Sequence, residues 1–205
     1  MIAVIDYGAG NLRSVYNTLT HLGADVVTVN TPDQLDGADK IVLPGVGAFG
    51  AGINALRNAG FEEPIKQAVA NGTPLIGICL GMQYLFEKSD EMGSHRGLGL
   101  LPGRVTRFPE AEFAARGLKV PHMGWNQLHI QQQHPLVKGL DSGGYAYFVH
   151  SYYVEADNPA DVLATTDYGF DFVSMVIRGN VFGIQPHPEK SHTVGLRVLK
   201  NFVEI

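Results

Sequence analysis

The chain has 205 residues, 45% of them hydrophobic and 17% charged, which suffices for a single domain over residues 1–205 with a sizeable core. A net charge of −5 without any polybasic run argues against nucleic acid and anionic membrane as main partners. One cysteine permits no internal disulfide, no apolar stretch approaches a bilayer span, and Met1–Asp6 reads as a strand rather than a signal peptide, so a cytoplasmic setting is expected.

Ile2–Asp6 predicts an apolar strand. Gly8-Ala9-Gly10 marks a turn, and Asn11 is placed to cap a helix running to about Leu22. Strands follow at Asp25–Val29 and Lys40–Leu43, the latter ending at Pro44-Gly45. Ala48–Asn58 and Glu62–Ala70 read as helices. Pro74–Ile78 reads as a short buried strand, with a helix from Leu80 to about Glu87. This alternation predicts a parallel sheet with helices on both faces. The second half is richer in strand: Val105–Phe108, Asn126–Ile130, Tyr145–His150, Ser151–Ala156, Val162–Thr165, Val173–Ile177 and Val181–Ile184. Gly179-Asn180 signals a hairpin between the last two. His192–Val203 closes the chain as a helix. The predicted fold is α/β, a three-layer sandwich around a mostly parallel sheet with an antiparallel section added.

Two distant segments carry the chemistry. Gly77-Ile78-Cys79-Leu80-Gly81 is the thiol form of a nucleophile elbow, a turn so tight that small residues must flank the nucleophile two positions on either side. Cys79 then stands at a strand end and a helix start, where the helix dipole favours a thiolate. The Leu80 N–H is left free to donate to an oxyanion, and Gln83 emerges one turn on, on the same helix face. A lone cysteine is as often simply buried; the flanking glycines and a downstream histidine favour the nucleophile.

That histidine lies in Gln185-Pro186-His187-Pro188-Glu189. A residue before proline is pushed out of the helical region, so His187 should be extended and stiff. In an extended segment Glu189 shares its face and can reach the imidazole, leaving the other ring nitrogen for the thiol proton. A solvated turn is the bland alternative. The other histidines are His21, His95, His122, His129, His134, His150 and His192. None has zinc-ligand spacing, so no metal is expected; no other cofactor is expected either.

With these residues the chain resembles the class I glutamine amidotransferases. More specifically, Asp6–Val15, Pro44-Gly45-Val46-Gly47-Ala48-Phe49, Pro121-His122-Met123-Gly124-Trp125-Asn126 and Tyr147-Phe148-Val149-His150-Ser151-Tyr152-Tyr153 are similar, end to end, to glutaminase subunits of imidazole glycerol phosphate synthases. The resemblance implies a flavodoxin-like fold and hydrolysis of L-glutamine to glutamate and ammonia through a γ-glutamyl thioester. Cys79 would be the nucleophile, His187 the base and acid, and Glu189 the orienter. Val46, in a loop whose glycines let a peptide plane turn over, would join Leu80 at the oxyanion. Gly47, Gln83, His150, Ser151 and Tyr152 would hold glutamine. Asn11, Pro121, His122, Trp125 and Tyr147 fall in segments that would face a partner, a (β/α)8 cyclase subunit that takes up the ammonia in histidine biosynthesis. The end at Ile205 leads us to expect that partner as a separate chain. Pro186 replaces the aromatic residue more usual before the histidine, and should stiffen the turn.

Three other readings stay open on the sequence. Another class I glutaminase would share the triad but not the Gly-Trp-Asn segment. A nucleotide-binding module using Gly8-x-Gly10 lacks the third glycine, since position 13 is Arg13, and no acidic residue ends the second strand. A catalytically dead interaction subunit conflicts with the intact Cys79, His187 and Glu189.

Overall fold

In the computed structural model, which describes residues 1–205, the strands are β1 (Ile2–Ile5), β2 (Val26–Val29), β3 (Lys40–Gly45), β4 (Leu75–Cys79), β5 (Phe86–Ser89), β6 (His95–Arg96), β7 (Leu101–Arg107), β8 (His122–Ile130), β9 (Gly144–His150), β10 (Tyr152–Ala156), β11 (Val162–Asp167), β12 (Asp171–Arg178) and β13 (Val181–Ile184). The helices are α1 (Leu12–His21), α2 (Phe49–Asn58), α3 (Glu62–Ala70), α4 (Leu80–Tyr84), α5 (Glu110–Ala115) and α6 (His192–Glu204).

Strands β2, β1, β3, β4 and β13 lie side by side in that order, all parallel. From β13 the sheet continues antiparallel through β12, β10 and β7; β5 joins β7 in parallel and β6 closes the edge. The β8–β9 ribbon attaches through β11.

Alternate residues along a strand point to opposite faces, so each buried strand feeds two cores. In β1, Ile2 and Val4 join one cluster with Val15 and Leu19 of α1 and Val198, Leu199 and Phe202 of α6. Ala3 and Ile5 join the other, with Phe49, Ile53 and Leu56 of α2 and Ile65 of α3. Helices therefore cover both faces of the parallel part, the three-layer arrangement expected.

The structure departs from these expectations in three places. The helix expected to reach Glu87 stops at Tyr84, and Phe86–Ser89 is a strand. Leu and Glu favour helix there, but backbone bonds from outside the segment take its carbonyls: Leu98 N–H donates to Tyr84 O, Leu100 and Leu101 to Leu85 O, and Gly97 to Glu87 O. Tertiary pairing overrides local propensity. Helix α5 was not anticipated; Glu110 and Glu112 in its first turn suit the helix dipole. Asn11 sits at the start of α1 without capping it through its side chain.

The turn from β4 into α4 is packed to backbone contact. A Cβ built on Gly81 would stand 1.9 Å from Leu43 O. Gly81→Ala must therefore push β3 and α4 apart, and should cost at least about 3 kcal/mol of unfolding free energy or abolish folding. Urea unfolding checks this; stability within about 0.5 kcal/mol of wild type would contradict the packing.

Candidate active site

Cys79 ends β4 and opens α4 at φ 55°, ψ −112°, in the left-handed half of backbone space that a side chain resists. A Cβ on Gly77 would meet Gly81 O at 2.4 Å. Both flanking glycines are thus demanded by contact, as the elbow pattern predicts. Strands β4 and β13 are parallel neighbours with Ile78 paired to Ile184. The chain leaving β13 therefore emerges at the same sheet edge as Cys79, where open α/β sheets bind ligands.

His187 is extended at φ −90°, ψ 99°, as its prolines require. Its N–H donates to Tyr147 O at 2.9 Å. Ser191 Oγ donates to His187 O at 2.6 Å and accepts from Tyr147 N–H at 2.9 Å, fastening the segment to β9. Glu189 reaches the ring by a route other than the one expected. Residues Pro188–Lys190 form a 3-10 turn, and it curls the carboxylate back so that His187 Nδ1 lies 2.9 Å from Glu189 Oε1.

The Glu189 side chain is fully buried. Asn11 Nδ2 donates to Glu189 Oε1 at 3.1 Å, which is where the expected helix cap has gone. Burial raises the carboxyl pKa, but the His187 hydrogen bond and charge, with a smaller contribution from Asn11, outweigh it and hold Glu189 below the usual carboxylate range. For His187, burial favours the neutral ring. Its interactions with Cys79 and Glu189 oppose this and push the imidazole up to about 10. Both neighbours thus favour the protonated ring.

Cys79 and His187 line one cavity of about 330 Å³ with Val46, Gly47, Leu80, Gln83, His150, Ser151 and Tyr152, so the structure brings together every residue expected at the oxyanion and the substrate. Pro121, expected at a partner face, is in the same wall. The cavity also holds Glu91, which sequence reasoning missed; it is the one carboxylate among the lining residues. Glu91 Oε2 accepts the Phe49 N–H at 2.8 Å, serving the start of α2. The β5–β6 excursion carries Glu91 to the site; the sequence predicts helix only to about Glu87 and no element at Glu91.

Of the residues expected to face a partner, Trp125 is 47% exposed, stacked on His192 at 5.0 Å and edge-on to Tyr147 at 5.9 Å. Met123 and Tyr145 share that ribbon face and are also exposed. His122 is a correction: it is 3% exposed, with its ring between Phe148 and Tyr168, because a ribbon residue one step from Met123 points inward. His122 Nδ1 lies 3.0 Å from His150 Nε2, and His150 Nδ1 is 2.8 Å from Tyr152 O. Burial lowers both rings, His122 to about 4 and His150 to about 3, so both are neutral at pH 7.

Because the folded His187 value is raised, its contribution to stability is complete below its ordinary 6.5 and is lost as pH rises toward 10. Glu189, lowered, contributes above its ordinary 4.5 and loses this as pH falls. In Glu189→Gln the His187 imidazole, followed by NMR, should titrate at least about one unit lower than in wild type. An unchanged midpoint would separate the carboxylate from the ring.

Comparisons with known proteins give the family. Residues 3–205 match the family model for class-I glutamine amidotransferases. The chain is 49% identical over 204 residues to the imidazole glycerol phosphate synthase subunit HisH of Sulfurimonas denitrificans, covering 100% of this chain and 98% of that one. It is 54% identical over 211 residues to the subunit of the same name from Halobacterium salinarum, covering 99% and 92%. Among solved structures, a glutamine amidotransferase crystal structure superposes at TM-score 0.76 with 22% identity, covering 100% of both chains. PurLQS from Thermotoga maritima superposes at 0.76 with 21% identity, covering 99% of this chain and 97% of that one, likewise a likeness of fold. The chain belongs to the class-I glutamine amidotransferase family, among its imidazole glycerol phosphate synthase subunits.

Proposed function

We propose that this chain, the glutaminase subunit of an imidazole glycerol phosphate synthase, hydrolyses L-glutamine at Cys79. The observation that carries the mechanism is the Cys79–His187–Glu189 constellation opening on a cavity with a single carboxylate in its wall. The thiolate attacks the side-chain amide carbon, and the carbonyl oxygen takes up negative charge. Backbone donors at Leu80 and in the Val46 loop stabilise that oxyanion, a contribution worth about 2.7–4 kcal/mol of barrier per donor in such sites. The His187 imidazolium gives its proton to the departing nitrogen, releasing ammonia and leaving a γ-glutamyl thioester. Water then attacks the thioester while His187 takes its proton. Glutamate leaves and the thiolate returns.

The substrate is a zwitterion, and the cavity suits one. Glu91 supplies the counter-charge for an α-ammonium group, and Gln83 Oε1 can accept beside it. The backbone of Gly47, Ser151 and Tyr152 holds the α-carboxylate. His150, neutral, orients this wall without adding charge.

The ammonia passes to a cyclase subunit, a (β/α)8 barrel, which uses it to form imidazole glycerol phosphate and aminoimidazole carboxamide ribotide. The exposed Met123, Trp125 and Tyr145 side chains supply an apolar docking face beside the cavity, since Pro121 and His150, at the near ends of β8 and β9, also line it. Tyr147, on the same ribbon face, and Asn11, at the foot of Glu189, would lie along that contact. No helix is long and apolar enough to cross a membrane.

Steady-state kinetics test the pocket: Glu91→Gln should raise KM for glutamine about ten- to hundredfold with kcat within about threefold. An unchanged KM would remove Glu91 from the substrate. The glutaminase rate, measured with and without the cyclase subunit and its nucleotide ligand, tests the partner. Strong stimulation is expected, with Trp125→Ala weakening association at least about tenfold. A rate indifferent to the cyclase would overturn the assigned partner.

A further inference from the structure

Gln185 follows β13 and is completely buried. Its main-chain N–H donates to Ser174 O at 2.9 Å. Its side-chain Nε2 lies 3.7 Å from Cys79 Sγ, within reach of a sulfur acceptor. An amide can present either end, so what matters is which end faces the sulfur. The answer comes from a main-chain carbonyl. Tyr152 O can only accept, and Gln83 Nε2 lies 3.1 Å from it. The Gln83 amide group must therefore turn its NH2 that way. The same NH2 is 3.0 Å from the Gln185 side chain, which must answer with its oxygen, since two NH2 groups facing each other would leave both unpaired. That leaves only the Gln185 NH2 for the sulfur.

The other side of Tyr152 O is closed as well. His150 Nδ1 lies 2.8 Å away, His122 Nδ1 faces His150 Nε2, and Asn126 Nδ2 faces His122 Nε2 at 3.2 Å. Asn126 is itself fixed, because its Nδ2 donates to Asp167 O and its Oδ1 accepts the Gln127 N–H. The His122 and His150 hydrogens thus run toward Tyr152 O, and the direction of the Gln185 amide is determined without reference to the sulfur.

We propose that Gln185 is a catalytic residue whose Nε2 donates a hydrogen bond to the Cys79 thiolate, and that Gln83 is the positioning residue that fixes the direction of that amide. The inference rests on Cys79 being the nucleophile. A neutral donor of fixed direction holds the sulfur in place and lowers the energy of its anion without competing with His187 for a proton. The other titratable groups around the sulfur are His187, Glu91, Tyr152 and the neutral His150 in the cavity, with Tyr7 and Tyr84 close to Cys79 as well. Burial raises the last two phenols, Tyr7 to about 12, so neither changes charge near pH 7. The Tyr7 hydroxyl is already committed to Pro44 O at 2.9 Å.

The test is the pH dependence of Cys79 alkylation by iodoacetamide in the full chain, without glutamine. In Gln185→Leu and Gln185→Glu the midpoint should rise by roughly one to two pH units, more for the carboxylate, and in Gln83→Leu by a smaller amount. In Gln185→Leu kcat should fall about tenfold or more with KM within about threefold. Circular dichroism verifies folding, and Gln185→Met replaces the leucine variant if that does not fold. Midpoints within about 0.3 unit of wild type in folded variants would overturn the proposal, since a purely packing role loses stability without moving the sulfur's titration. Alkylation needs no glutamine, so this result would leave the glutaminase reading standing. A shifted midpoint in a protein that does not hydrolyse glutamine would do the reverse.

Discussion

Cys79 is held in a backbone conformation that costs on the order of 1–3 kcal/mol for a residue with a side chain, and the rest of the site is arranged around that turn. The turn closes because three glycines let backbone meet backbone. Gly81 lies under Leu43 O, Gly77 lies under Gly81, and a Cβ on Gly45 would stand 2.8 Å from Gly81 N. The same approach that presents the sulfur brings the end of β3 against the start of α4. The Val46–Gly47 loop and Leu80 thereby line the cavity beside Cys79 from two elements. Strand β4 lies between β3 and β13 with every residue buried, so the sheet resists relaxation of the strained residue.

Charge is sparing in this site and each charge is placed. His187 and Glu189 form a buried pair whose geometry depends on a two-proline segment, a 3-10 turn and the Ser191 hydroxyl tied to β9. Glu91 enters from the β5–β6 excursion. The wall opposite is uncharged at neutral pH, since burial keeps His122 and His150 unprotonated. A neutral relay fixes hydrogen-bond directions without adding a field that would compete with the imidazolium. The ribbon carrying that relay presents Trp125 and Met123 on its outer face, so the cavity wall and the exposed apolar surface are two faces of one ribbon.

Much of this was legible in the residues. The continuous apolar runs of β1, β3 and β4 and the glycine spacing around Cys79 are local signals that the packing confirms. The prolines around His187 predicted its extended backbone correctly, yet the carboxylate arrives by a 3-10 turn rather than by sharing an extended face, because Pro188 also suits the first position of a helical turn. What could not be read was set by distant partners. Phe86–Ser89 carries helix-forming residues and becomes strand only because the main chain of 97–101 binds its carbonyls; Glu91 lies beyond it in a stretch with no local signal, and only this distant pairing brings it to the cavity. Asn11 looked like a helix cap, and its amide instead serves a carboxylate 178 positions away. His122 sits in a segment resembling a partner face, but the ribbon's alternation turns it inward.

The most direct test is covalent. A glutamine analogue with an electrophilic carbon at the amide position should add once per chain, and peptide mass mapping should place the adduct on Cys79. Excess glutamine should protect against it, and Cys79→Ala should remain unmodified. An adduct on any other residue, or none in folded protein supplied with the cyclase subunit, would contradict the account of Cys79 as the nucleophile on which the reading of this site depends.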